Sequence, residues 1–467
     1  MTVPLSDLPQ KSPSKKKLYL KTYGCQSNVY DSDRMVDILK PFGYEAVETP
    51  EGADIVILNT CHIREKAEEK VFSDLGRLRA FKEQKATHGE RMLIGVAGCV
   101  AQGIGAGIIR RAPFVDMVFG PQTYHMLPQM LAQATREGVA EKKGPGRGIV
   151  LLDFPEESKF DYFPEEVQSR GPSSLLAIQE GCDKFCTYCV VPYTRGAEFS
   201  RPVLQILEEA RRLVQQGTRE LTLLGQNVNA YHGVGPEGEE WSLAQILKRL
   251  AFELEPLGLK RLRYTTSYPR EIMEDLIQVH GDVPLLMPFL HLPVQSGSDK
   301  ILKDMNRKHT AQFYKDLIQK FRNVNSDLAF SSDFIVGFPG ETDQDFQETL
   351  DLIQEVTFAQ AYSFKYSPRP GTPAAGRLDQ ISDTVKRQRL DVLQTLLNQQ
   401  QLAFNQGTVG KICEILIDRR GSKPGQWIGR SPYMQSVHVV APSLSIGMMV
   451  PVEIEEGLAN SLRGRLL

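Results

Sequence analysis

Cys182, Cys186 and Cys189 stand in the run GCDKFCTYC, at C-x3-C-x2-C spacing, directly after the apolar run LLAIQEG. Thiolates are soft anions that suit iron clusters. Four would close a cluster or a zinc site, whereas three that hold a cubane leave one iron open to a small molecule. Zinc is the alternative, but it calls for a fourth Cys or His with paired spacing, and the closest downstream histidine is His232. Inert buried cysteines are the remaining reading. Cys25, Cys61 and Cys99 each follow a strand-like run at once: KLYLKTYG, DIVILNT and MLIGVAG. Residues just past the carboxyl ends of parallel strands converge on one sheet edge, so these three thiols are placed to meet. Cys413 lies alone inside a strand pattern and reads as a small core residue.

The elements that must position these residues follow from periodicity. Residues 17–138 alternate strand and helix patterns, which predicts an open α/β domain with a parallel sheet. In REKAEEKVFSDLGRLRAF, Ala67, Val71, Leu75, Leu78 and Phe81 mark one apolar helix face. Residues 1–16 read as a disordered tail, and 139–174 as a Pro-, Gly- and charge-rich linker interrupted by a short strand, GIVLLDF. From 175 to 405, strand then helix recurs about six times, which suits a partial (β/α)6 barrel with its chemistry at the carboxyl ends of the strands. Gln226, Asn227, Gln295 and Ser296 fall at such ends. Residues 406–467 hold about five short strands and predict a small antiparallel barrel of the OB type, a fold that often binds oligonucleotides.

Composition sets bounds. The chain of 467 residues carries 55 basic and 57 acidic residues, so no global field draws it to nucleic acid and local patches must serve. No run approaches the length of a membrane span. Seven cysteines without an export signal point to a reducing cytoplasm, where metal ligation is favoured over disulfides. Arg and Lys in KRLRYTTSYPR and MNRKHT approach the barrel face; a solvated surface is the default for such runs, and contact with RNA phosphate the alternative.

GCDKFCTYC followed by VVPYTRG resembles the cluster loop of radical S-adenosylmethionine enzymes. TYGCQSNVYDS, ILNTCHIREKA, VAGCVAQ, LPVQSGS, DFIVGFPGET and the small terminal barrel occur in the order found in the methylthiotransferases of that superfamily. The resemblance is nearest to the branch acting on isopentenyl-adenosine in tRNA and covers nearly the whole chain beyond the tail. Ser27 stands where the family is expected to have methionine, and His62 where serine is more usual. The resemblance implies two [4Fe–4S] clusters: a radical-forming one on Cys182, Cys186 and Cys189, and an auxiliary one on Cys25, Cys61 and Cys99. It implies two molecules of S-adenosylmethionine per turnover, one giving a methyl group to sulfur and one giving a 5′-deoxyadenosyl radical. The product is a methylthio group at C2 of N6-isopentenyladenosine at tRNA position 37. Tyr188, Glu198, Gln295, Asp333 and Gly337 are the expected cofactor contacts: Tyr188 beside adenine, Glu198 on the amino group, the others near ribose and adenine. Each has an alternative as loop packing or an ordinary ion pair.

The same reading calls for an anticodon stem-loop, an electron donor of flavodoxin or ferredoxin type, a sulfur donor, no membrane and a monomeric chain. The alternatives are methylthiolation of threonylcarbamoyladenosine in tRNA or of a ribosomal-protein aspartate, and a noncatalytic, metal-stapled RNA-binding protein.

Overall fold

The run KKLYLKT opens a sheet whose remaining strands arrive one helical crossover at a time. In the computed structural model, which describes residues 15–61, 67–139, 148–164 and 167–467, the chain divides into two units. These are Met1–Gln168 with Val190–Ala197, and Ser169–Cys189 with Glu198–Leu467.

In the first unit, β1 (Lys16–Thr22), β2 (Tyr44–Val47), β3 (Ile55–Thr60), β4 (Leu93–Gly98), β5 (Met117–Phe119) and β6 (Ile149–Leu151) form one parallel sheet in the order β2-β1-β3-β4-β5-β6. β3 and β4 are buried along their whole length, as central strands covered on both faces must be. One face packs on α1 (Gln26–Leu39) and α5 (Leu127–Val139) through Met35, Leu39, Leu127 and Met130. The other packs on α2 (Ala67–Thr87), α3 (Cys99–Ile104) and α4 (Gly107–Arg111), where Val71, Leu75, Leu78 and Phe81 turn inward as their spacing predicts. α6 (Val191–Arg195) belongs to this unit too.

Two boundaries differ from expectation. β1 begins at Lys16, inside the segment read as tail. The short strand expected within the linker, GIVLLDF, is present as β6, but it pairs with β5 as the edge strand of this sheet, and Lys159 and Phe160 beyond it are buried. Residues 1–14 of the tail, residues 140–147 and 165–166 of the linker, and His62 lie outside the described residues.

The second unit starts with β7 (Ser173–Ala177), followed by a two-residue antiparallel pair, β8 (Gln179–Glu180) with β9 (Phe199–Ser200). α7 (Val203–Gln215), β10 (Glu220–Leu224), a hairpin of β11 (His232–Val234) and β12 (Glu240–Ser242), α8 (Leu243–Leu254), β13 (Arg261–Thr265) and α9 (Glu274–Asp282) come next. β14 (Phe289–His291), α10 (Asp299–Asp304), α11 (Ala311–Val324), β15 (Ala329–Val336), α12 (Asp343–Val356), β16 (Gln360–Lys365) and α13 (Asp383–Gln406) complete the barrel. β7, β10 and β13 pair in parallel, as do β14, β15 and β16, and a parallel bridge from Leu262 to Leu286 joins the two groups. The result is the partial six-stranded barrel that the sequence predicts.

β17 (Ile412–Arg420), β18 (Gln426–Arg430), β19 (Ser436–Val440), β20 (Met449–Gly457) and β21 (Leu462–Leu466) close into a small barrel in the order β17-β18-β19-β21-β20. Its β19–β21 pairing is parallel, where an all-antiparallel set was expected. Cys413 lies in its core with Ile415, Val437 and Val452. The small barrel docks at the amino ends of β10 and β13. There, buried Arg261 donates to the carbonyls of Arg430 (2.9 Å) and Glu414 (2.5 Å), and Arg263 holds Glu220 at 2.9 Å. These two arginines are thus structural and are not available to phosphate. No helix among the described residues is long and apolar enough to cross a membrane.

Candidate metal and cofactor centres

In the first unit three thiols meet at the carboxyl edge of the sheet, beside the point where strand order reverses between β1 and β3. Cys25 is the N-cap of α1, Cys61 follows β3, and Cys99 opens α3. Gly24 makes the meeting sterically feasible. It holds φ at +102°, and a Cβ on it would overlap the Cys61 Cβ and stand 2.5 Å from the Cys61 Sγ. A Cβ on Gly98 would likewise stand 2.5 Å from the Asn59 Oδ1.

A hydrogen bond from Cys61 lowers the Cys25 thiol to about 6, with Arg195 adding to the effect against the opposing penalty of burial. Burial raises Cys99, and Arg195 opposes it through charge and a hydrogen bond. Asn28 lies under the thiols, 3.5 Å from the Cys25 Sγ, and donates to the Thr60 carbonyl at 2.8 Å. Asn59 donates to the Asn28 carbonyl (2.8 Å) and to the Ser32 hydroxyl (2.9 Å). No three of His, Cys, Asp and Glu among the described residues close on a single metal ion; a cubane binds its sulfurs through different irons and asks for a wider frame. A thiol-only set with a buried cation and amides behind it fits such a cluster.

In the second unit the loop after β8 carries Cys182, Cys186 and Cys189, and the β8–β9 pair pins its neck. Gln179 and Gln226 lock the loop base. The Gln179 Oε1 accepts from the amide of Gln226 (2.9 Å), and the Gln226 Oε1 accepts from the amide of Gly181 (2.8 Å). The turn after α10 clamps the loop body: Asn306 donates to the carbonyls of Lys184 and Phe185 at 3.1 Å, and the Thr187 amide donates to the Met305 carbonyl at 3.1 Å. Arg307 is buried, with Nη1 3.8 Å from the Cys186 Sγ and Nη2 2.6 Å from the Pro293 carbonyl, and its Nε has no partner. The MNR of MNRKHT therefore seats the cysteine loop and does not face RNA phosphate. Burial pushes the Cys182 thiol up to about 11, so a ligated iron must displace its proton.

Of the five expected cofactor contacts, Tyr188 lies inside this loop, Glu198 just before β9, Gln295 past β14, Asp333 within β15 and Gly337 just after β15. Glu198 has a side chain only 7% exposed, with Lys184 at 3.9 Å and His232 at 3.6 Å. Its Oε2, the oxygen that faces Lys184 at 3.9 Å, is buried without a hydrogen-bond partner, an acceptor that an ammonium group at hydrogen-bond distance would satisfy. Tyr188 packs against Ile301, Met305 and Phe338. Burial raises its phenol well above the usual value, and Asp333 and Arg307 act on it electrostatically. Gln295 lies past β14 in an isolated bridge with Phe334, holds a left-handed φ of +79°, and donates its amide to the Asp333 carbonyl at 2.9 Å. Asp333 pairs with His291 at 3.5 Å. Gly337 is a turn residue whose amide is committed to Glu341 (2.9 Å), itself held by Arg389 at 2.7 Å.

A cavity of about 470 Å³ lies at the other end of the barrel, lined by Phe330, Phe358, Phe404, Cys413 and Tyr433, and none of these candidates lines it. Arg195, Asn28 and Asn59 are site residues that spacing does not single out.

A three-cysteine loop at the carboxyl end of a six-stranded partial barrel defines a radical S-adenosylmethionine enzyme. Residues 176–353 match the Radical SAM superfamily, 17–120 match a family described as Uncharacterized protein family UPF0004, and 406–467 match the TRAM domain. The tRNA-2-methylthio-N(6)-dimethylallyladenosine synthase of Maricaulis maris (strain MCS10) is 56% identical over 460 residues, covering 97% of this chain and 98% of that protein. The chain belongs to the tRNA-2-methylthio-N(6)-dimethylallyladenosine synthase family. Its fold is similar to that of the radical S-adenosylmethionine methyltransferase TsrM from Kitasatospora setae, with a TM-score of 0.56 at 15% identity over 78% of this chain and 77% of that one. It is also similar to the cobalamin-dependent enzyme OxsB, with a TM-score of 0.52 at 12% identity over 82% of this chain and 56% of that one.

Proposed function

We infer that this chain is a radical S-adenosylmethionine methylthiotransferase that places a methylthio group at C2 of N6-isopentenyladenosine in tRNA, at position 37 beside the anticodon. The observation that carries the reading is the pair of separate three-thiol groups, one past the carboxyl ends of parallel strands and one in the loop after β8, in a chain 56% identical to the Maricaulis relative across 97% of its length. The cofactors are [4Fe–4S] clusters and S-adenosylmethionine. When bound, they supply sulfur-centred methyl acceptance at Cys25, Cys61 and Cys99 and radical formation at Cys182, Cys186 and Cys189.

The protein's own residues do the placing. Asn306, Thr187, Gln179 and Gln226 fix the radical-site loop, Arg307 screens the Cys186 thiolate, and Glu198 offers its orphan oxygen to the cofactor's amino group. Tyr188 within the loop feels the charge of Asp333, whose carbonyl accepts from the Gln295 amide, and Gly337 directly follows the strand that carries Asp333. An aryl C–H bond does not yield to a His or Glu base, so a radical route suits C2. The anticodon loop is single-stranded and can splay a base into the barrel mouth. The small barrel holds seven Lys/Arg against five Asp/Glu between Lys411 and Leu467, a mild positive bias toward RNA. A cytoplasmic location and outside donors of electrons and sulfur complete the reading.

Purified, cluster-reconstituted protein with reductant, sulfide and S-adenosylmethionine should convert isopentenyladenosine in tRNA to its 2-methylthio form by nucleoside mass spectrometry. Modification of threonylcarbamoyladenosine instead, or of no tRNA nucleoside, contradicts the proposal.

A further inference from the structure

We propose that Arg195 is a positioning residue of the first thiol group: its guanidinium supplies the fixed cation that keeps a cluster on Cys25, Cys61 and Cys99 reducible. The proposal rests on the reading that these thiols ligate a cubane. A cubane on three thiolates is a net anion, and each added electron deepens that charge. With Cys61 and Cys99 buried, a fixed opposite charge on the protein side stabilises that anion.

Arg195, at the end of α6, is 4% exposed. It hydrogen-bonds the Cys99 thiol and acts electrostatically on Cys25. Its Nη2 donates to the Asp31 Oδ2 at 2.7 Å and to the Asn28 Oδ1 at 3.0 Å, the same oxygen that lies 3.5 Å from the Cys25 Sγ. Asp31 alone would cancel the guanidinium. However, Lys159, with a side chain 1% exposed, also lies on Asp31 at 3.4 Å and donates to the Pro121 carbonyl at 3.0 Å. The nearby Asp37 is taken by Arg34 at 3.0 Å. Among the described residues, these two buried cations share the Asp31 carboxylate beside the thiols.

Only an arginine fork reaches sulfur, carboxylate and amide together. The residue stands six positions after Cys189, so one chain segment carries a ligand of the second thiol group and the cation of the first.

The test uses the full chain with Cys182→Ala, Cys186→Ala and Cys189→Ala, so that only the first group can load. After anaerobic reconstitution with ferrous iron and sulfide, iron per chain is measured. The midpoint potential is then read by redox titration with electron paramagnetic resonance. In that background Arg195→Gln should make the cluster at least tenfold harder to reduce at a fixed potential, a shift of about 59 mV to the negative for one electron. Arg195→Lys should stay within threefold of the parent. An unmoved potential in Arg195→Gln overturns the proposal, as does an equal shift in Arg195→Lys, which would assign the effect to shape. If Arg195→Gln takes up no iron, Lys159→Gln decides: a negative shift supports the proposal and an unchanged potential overturns it. A parent chain that binds no iron refutes the ligand reading itself, which is a separate outcome.

Discussion

Replacing Gly24 with alanine perturbs the first thiol group and nothing in the second unit. The new methyl would lie 2.5 Å from the Cys61 Sγ, where non-bonded contact asks for roughly 3.5–4.0 Å. Cys61 or the β1–α1 turn must therefore retreat by about 1 Å or more, whereas a working metal site tolerates roughly 0.5 Å. The backbone adds to this: φ of +102° costs an L-residue about 1–3 kcal/mol, and the overpacking about 1–3 kcal/mol more. The sum, about 2–6 kcal/mol, is a large part of a typical stability of about 5–15 kcal/mol but need not exhaust it. Gly24→Ala should thus fold with a lowered melting temperature, lose the cluster of the first group, and form 2-methylthio product at least tenfold more slowly. It should still release 5′-deoxyadenosine from S-adenosylmethionine. Iron analysis, melting and the two product assays read this directly. Full iron content with methylthio transfer within twofold of wild type would refute the close-approach argument.

Arg307→Met removes the contact with Cys186 and leaves the Pro293 carbonyl buried without its donor, a loss of about 1–3 kcal/mol; release of 5′-deoxyadenosine should fall at least tenfold, while the first cluster stays loaded. Glu198→Gln keeps the shape but removes the charge from the buried orphan oxygen, so KM for S-adenosylmethionine should rise at least fivefold with a smaller change in kcat; an unchanged KM would return Glu198 to a plain ion pair with Lys184. Burial raises Asp345, but hydrogen bonds from Lys300, Ser298 and Thr342 outweigh it and hold the carboxyl well below the usual range. Its folded-state value is depressed, so the stability it contributes is present in full above the ordinary carboxylate value of about 4, begins to be lost below it, and is gone only once pH falls through the much lower folded-state value. Asp345→Asn should therefore melt lower than wild type at pH 6, with the gap narrower but still open near pH 3, and melting profiles that stay parallel from pH 6 to pH 3 would contradict the assignment.

The placing of the cysteines was legible because strand ends leave local marks: a fixed spacing in one loop, and an apolar run directly before each of the others. The six barrel strands and the five short terminal strands were legible for the same reason, since period-two and run-length patterns are local. Arg195 was not. Its partners Asn28 and Asp31 lie 167 and 164 positions away, and only the placement of α6 in the first unit joins them. Arg307 was read as a surface cation because MNRKHT is polar; a turn after α10 with Asn306 at φ +59° turns it inward to Cys186 and Pro293. The strand β6 was legible in GIVLLDF, but not its place in the first sheet, because Pro, Gly and charge dominate the segment around it. Its three apolar residues gain a parallel partner only once β5 is in place.

The central claim is that this chain holds two independent cubanes, each by three thiolates. Iron and sulfide analysis with Mössbauer spectroscopy on the anaerobically reconstituted protein tests it most directly. Wild type should carry two cubanes, and Cys25→Ala/Cys61→Ala/Cys99→Ala and Cys182→Ala/Cys186→Ala/Cys189→Ala one each, with only the former still responding to added S-adenosylmethionine by release of 5′-deoxyadenosine. A wild-type chain that loads a single cubane, with three of the six thiols still free to alkylate, would contradict it.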